Sequence, residues 1–298
     1  MTTSIHFSSN LKKFLKISKN ISLTLGFALS SVFASSLKAE ELETPPLCKD
    51  VLGTLDVGTG AYSATAAQIK DGNMTFCSAT PDRFQLDIHE MGLCTENPII
   101  GTPKTFSKDN CVVSMTSTGG VTADLAGTTV DLPPAVTRPA NGTYTYAYIV
   151  IKNTFGLRGS LKINDGRGGV HQYCSTSDGS STEPAASCTP ANHTETLSSF
   201  GDTYTPDFGP AELPTGGEVS AILTNSSLVR AGEEGAVERL IGVFATNAGT
   251  PVVINDSVNG LECELQVTDG GYGIEFSDAT GRPIDFGSMP FKPVFTTF

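Results

Sequence analysis

The chain has no tryptophan, only four histidines, and few charges: Asp, Glu, Lys and Arg together make up 17% of its 298 residues. Each shortage excludes something. Without Trp the commonest platform for stacking sugar rings is missing. So low a charged fraction disfavours coiled coils and highly charged helical proteins. Basic residues number 19 against 31 acidic ones, a net charge of −12. No broad basic face is therefore expected for nucleic-acid phosphates. Beyond the N-terminal region no run approaches about 18 apolar residues, so no helix of the mature chain is expected to cross a bilayer. Catalytic signatures are also lacking. No Gly-x-Ser-x-Gly elbow occurs. His89-Glu90 is followed by Met91, Gly92 and Leu93, so the zinc-protease pattern His-Glu-x-x-His is not completed.

What is present begins with a leader-like segment. Residues 1–39 contain no Asp or Glu. Lys12, Lys13, Lys16 and Lys19 precede an apolar run from Ile21 to Ala34, and the small-residue patterns Val32/Ala34 and Leu37/Ala39 follow. Basic, then apolar, then small is the layout of a secretory signal peptide, and the run is short for a bilayer span. Removing residues 1–39 takes away five lysines (12, 13, 16, 19 and 38) and no acid, so the net charge goes from −12 to −17. The expectation is an exported protein: periplasmic, cell-surface or extracellular.

All seven cysteines lie in the mature part, at 48, 77, 94, 111, 174, 188 and 263. An oxidising compartment makes disulfides the default. Cys94–Cys111 and Cys174–Cys188 are the favoured pairs, because each closes a loop rich in Pro, Ser, Thr and Asn. Cys48–Cys77 is the third. Cys263 is left as a lone buried thiol.

The apolar period is mostly two. Arg83 to His89 alternates cleanly, as does Leu261 to Val267, and Tyr272, Ile274 and Phe276 continue after the Asp269-Gly270-Gly271 turn signal. Further strands are expected at Cys111–Met115, Val121–Leu125, Arg158–Ile163, Glu218–Leu223, Leu240–Thr246 and Val252–Ile254. Thr143–Asn153 is apolar on both faces, which marks a strand covered on both sides. A short helix is expected near Ala64–Ile69. The Gly-Gly pairs at 119–120, 168–169, 216–217 and 270–271 read as turns. The resulting expectation is an all-β protein. It is one antiparallel β-sandwich over residues 40–298, Greek-key or jelly-roll-like, with a disulfide-stapled insertion loop near 165–215. Within that loop Asn192–Pro214 lacks alternation. The run Val130-Asp131-Leu132-Pro133, with Asn141-Gly142-Thr143-Tyr144 after it, is similar to one edge of prealbumin-like, carboxypeptidase-regulatory-type modules. That resemblance implies a small Greek-key sandwich without catalysis.

Three constellations bear on chemistry. His171, Cys174, Cys188 and His193 could supply four zinc ligands, but a disulfide between the two cysteines would remove both thiolates. Glu262 and Glu264 share one strand face, as glycosidase carboxylates or as ordinary solvated residues. Asp165, Asp256 and Asp278 stand in turns with Asn, Gly and Thr, which suits calcium and equally suits plain turns. The Tyr144, Tyr146 and Tyr148 stripe reads as core. The functional expectation is an exported, non-catalytic surface or extracellular protein with a structural, assembly or adhesion role. Its partner would be a polysaccharide, a surface structure or another copy of itself. The alternatives are a calcium- or carbohydrate-binding secreted module, or a secreted hydrolase assembled around His89, His171 or His193.

Overall fold

Alternation of Phe84, Leu86 and Ile88 with Arg83, Gln85 and Asp87 builds the long strand β1 (Arg83–Cys94). The computed structural model describes residues 44–126, 137–164, 169–201 and 203–298. The segment read as a signal peptide, Val130–Pro133 and Asp165 lie outside these. Strand β2 (Cys111–Asp124) runs antiparallel along one edge of β1, from Gln85↔Asp124 to Cys94↔Cys111. Six more strands complete the large sheet: β3 (Tyr146–Lys152), β4 (Thr154–Arg158), β5 (His193–Thr196), β6 (Asp207–Glu212), β7 (Glu218–Thr224) and β8 (Arg239–Ala245).

The sheet forks. Strands β3 and β4 both pair with the second edge of β1, one after the other. Beyond β3 the order continues through β8 and β7 to β6, whereas β4 takes β5 as its outer neighbour. Asn153 is the single residue between the branches and is 7% exposed. Its Nδ2 donates to Leu197 O at 3.0 Å, just past β5, and to Val237 O at 3.1 Å, just before β8. Its own carbonyl accepts from Leu197 N at 2.8 Å. One amide thus satisfies backbone groups of both branches where the ladder divides.

Smaller sheets cover the large one. Phe76–Ala79, Tyr272–Phe276 and Pro283–Ser288 form a three-stranded antiparallel sheet with Tyr272–Phe276 in the middle. Leu261–Gln266 pairs with Lys292–Thr297, and Gly142–Tyr144 with Val252–Ile254. Leu55–Asp56, Ala61–Thr65, Ser160–Asn164 and Val170–Cys174 make a four-stranded sheet with one parallel contact. The main core gathers Phe84, Leu86, Ile88, Ile149 and Ile151 from one face of the large sheet with Ile274, Phe276, Phe286 and Phe291 from the layer above. Each such side chain contributes about 1.5–3 kcal/mol on burial. The opposite face carries Tyr148, Val150, Ile222, Ile241 and Val243, covered by Ile99 and Phe106 from the loop between β1 and β2. Strand β3 is therefore apolar on both faces because both are covered.

Three disulfides form: Cys48–Cys77, Cys94–Cys111 and Cys174–Cys188, with Cys263 free. The first ties the helical turn Cys48–Val51 to the strand Phe76–Ala79. The helix runs over Ala66–Asp71, where Thr65 and Gln68 form a reciprocal capping box.

Several details differ from expectation. Cys111–Met115 and Val121–Leu125 are one strand, because Gly119-Gly120 is a bulge and not a turn. The register jumps between Ile88↔Val121 and Glu90↔Thr116, so residues 117–120 loop past His89. Gly120 has φ +80, and a Cβ there would sit 3.1 Å from the His89 ring. Thr143–Asn153 breaks at Thr145, where β3 leaves Gly142–Tyr144. Arg158–Ile163 breaks at Gly159, where the chain leaves the large sheet for the four-stranded one, and a Cβ at Gly159 would lie 2.2 Å from the Tyr272 ring. Residues 165–215 are not loop throughout. Val170–Cys174, β5 and β6 each join a sheet. These strands are short and lie at sheet edges, so they need only one or two buried positions and show little alternation. Finally, Leu261–Gln266 and Tyr272–Phe276 flank the Asp269-Gly270-Gly271 turn but enter different sheets.

Candidate functional site

The first feature is a cavity of about 330 Å³ between β1, β2 and the antiparallel pair Leu261–Gln266 and Lys292–Thr297. Met91 and Met115 face each other across β1 and β2 and form one wall. Leu261, Cys263, Phe295 and Ile254 form the other. The alternation that buries Leu265 and Val267 sets Leu261 and Cys263 on the same inward face, while Glu262 and Glu264 are exposed on the opposite one. Cys263 is partly buried against two hydrophobic clusters, and this burial pushes its thiol pKa up. A raised pKa makes it a poor nucleophile.

Arg138 stands at the rim. Its guanidinium donates to Val258 O at 3.4 Å, Pro139 O at 3.1 Å, Asn141 Oδ1 at 3.1 Å and Asn255 O at 2.7 Å. All four acceptors are neutral. Phe298 completes the rim, its carbonyl accepting from the Asn259 and Gly260 amides at 2.6 and 3.0 Å.

The second feature is a buried polar group between β5 and the three-stranded sheet. His193 is 4% exposed, and among the described residues neither ring nitrogen has a well-aligned hydrogen-bond partner, the Phe286 and Ala191 backbone being the nearest polar groups acting on it. Its ring lies 6.4 Å from that of Tyr272 and packs on Gly179. Burial lowers the His193 pKa, against smaller opposing effects of the Phe286 and Ala191 backbone and of Asp178. Tyr272 is fully buried, which raises its phenol pKa well above the ordinary value. Glu195 lies over Gly287 in the same region. A third group pins the loop between β1 and β2. Glu90 accepts from Tyr148 OH at 2.7 Å and from Lys108 Nζ at 2.9 Å. Burial and the nearby Glu90 carboxylate push the Tyr148 phenol up.

Searches of family models, curated proteins and solved structures find no match to this chain. Its residues and geometry therefore carry the functional argument.

The positions singled out in the sequence are dispersed. His89 sits in the bulge between β1 and β2, with Nδ1 3.3 Å from Ser117 O. His171 pairs with Ile163 in the four-stranded sheet. His193 is buried elsewhere, so the three histidines serve three separate environments. The zinc reading of His171, Cys174, Cys188 and His193 fails because Cys174–Cys188 is a disulfide. Asp256 accepts from Asn141 Nδ2 at 2.6 Å, and Asp278 is exposed in a different turn. No three His, Cys, Asp or Glu side chains gather for a metal among the described residues. Tyr144 and Tyr148 are buried, and Tyr144 OH donates to Ala140 O at 2.8 Å. Sequence reasoning missed Met91, Met115 and Arg138. The two methionines read as ordinary strand core, and Arg138 belongs to no motif.

Proposed function

We propose that this chain is an exported, non-catalytic protein that works by binding or assembly at a cell surface or outside the cell. The three disulfides carry this reading. Such bonds persist in oxidising compartments and are rare in reducing ones. Here they hold covering segments against the sheets without using a metal. The surface is acidic, with 31 acidic against 19 basic residues, which favours solubility and repels polyanions. Dispersal of the histidines and the raised pKa of Cys263 speak against nucleophilic catalysis. Partners in keeping with this role are a polysaccharide, a surface structure or a second copy of the chain.

Non-reducing peptide mapping of protein recovered from its native compartment tests the reading. Three bonds and one thiol are expected. Seven free thiols would remove its foundation. Sedimentation across a concentration range then separates self-assembly from binding to a different partner.

A further inference from the structure

We propose that the cavity between β1, β2 and the strand Leu261–Gln266 binds a medium-chain fatty acid, with the alkyl chain inside and the carboxylate on Arg138. This goes beyond the surface role above and stands independently of it.

Met91, Met115, Ile254, Leu261 and Phe295 give the hollow an apolar lining. A hydrocarbon chain laid against these walls gains dispersion contacts and removes apolar surface from water. Two facing methionines suit a chain of variable conformation, because thioether side chains adapt their shape at little cost. Size sets the occupant. About 330 Å³ holds roughly ten methylene-sized groups, taking a water's share of about 30 Å³ as the unit. That matches one medium alkyl chain and is too small for a two-chain lipid.

The rim sets the headgroup. Lys49, Arg83, Lys104, Lys108 and Arg230 all sit within 4.0 Å of a carboxylate. Arg138 does not, among the described residues. Its four neutral acceptors fix the guanidinium in place, and the nearest carboxylate they lead to, Asp256, is reached only through Asn141. They use four of the five guanidinium N–H groups and leave one on Nη1 to donate. A guanidinium favours a carboxylate partner in planar, charge-assisted geometry. An apolar hollow with a single fixed cation at its mouth therefore selects a single-chain anion over a neutral alcohol of equal length.

The chain lacks Trp, so Phe298→Trp places a lone fluorophore at the rim. The ring there is 68% exposed, and the replacement should be well tolerated. Monomeric decanoate should give a saturable fluorescence change in this protein, with decanol binding about tenfold more weakly, the factor worth about 1.4 kcal/mol. In the same background Arg138→Gln should weaken decanoate about tenfold and leave decanol unchanged. Leu261→Phe narrows the cavity at a half-buried position and should weaken both ligands. If Arg138→Gln does not fold, the decanoate-to-decanol ratio of the parent decides alone. A ratio near one, no saturable response, or affinity unchanged by Leu261→Phe would overturn the proposal. So would cosedimentation with phosphatidylglycerol vesicles without uptake of monomeric decanoate.

Discussion

Asn153 does the work of a junction with one side chain. Both of its Nδ2 bonds end on buried carbonyls of different branches. Asn153→Ala should leave both acceptors unsatisfied and cost about 2–4 kcal/mol, since each orphaned buried group costs about 1–3 kcal/mol. Urea unfolding measures this, and a loss below about 1 kcal/mol would show that the fork holds without the amide. His193 yields a prediction of a different kind. Burial lowers its pKa in the fold, so the unfolded chain takes up the proton more readily. Stability from this residue is present above the unfolded His pKa of about 6.5 and is lost as pH falls below it. His89 is also lowered, chiefly by burial and then by Arg239, so the wild-type curve alone is ambiguous. His193→Gln should flatten the decline in melting temperature between pH 7.5 and pH 5. A variant that declines as steeply as the parent would rule out His193 as a contributor. None of this was visible in the residues themselves. Asn153 looks like the end of one strand, and the neighbours that bury His193 come from Gly179, Tyr272 and Phe286, far apart in the chain.

The loop between β1 and β2 is the clearest case of an element held down from both ends. Cys94–Cys111 closes it, Phe106 packs edge-on to Tyr148 at 5.2 Å, and Lys108 pairs with Glu90. Replacing both cysteines by serine removes a cross-link spanning 17 residues. A loss of about 2–4 kcal/mol is expected, with faster hydrogen exchange over residues 95–110 and over β3. Exchange confined to the loop would mean that the second face of the sheet does not depend on its cover. This element was legible in advance, because disulfide pairs that close short polar loops can be reasoned from spacing alone. So was the two-sided apolar pattern of β3. The fork, the bulge at Gly119-Gly120 and the cavity were not. Period-two patterning tells which face of a strand is buried, but not which strand lies beside it. The cavity walls come from Met91, Met115, Ile254, Leu261 and Phe295, each of which by itself reads as ordinary core.

For the molecule as a whole, packing and three cross-links contribute stability. Of the acidic turns singled out for calcium, Asp278 and Asp256 belong to no group of three metal-ligating side chains among the described residues, and Asp256 is already engaged by Asn141. Millimolar calcium should therefore move the melting temperature by less than about 1 °C, read against a shift of roughly 2–4 °C per kcal/mol for a large domain. A larger rise, reversed by EDTA, would place a cation on the folded chain. The order in which strands find partners matters as much as their number. Phe76–Ala79 finds its antiparallel partner in Tyr272–Phe276, and Gly142–Tyr144 in Val252–Ile254. Such distant pairings are slow to form, because loop closure precedes any gain from contact. A ribosome must release nearly the entire polypeptide before that early strand can dock. Until then Phe76–Ala79 lacks its antiparallel neighbour, although the large sheet, whose last strand ends at Ala245, can already be complete.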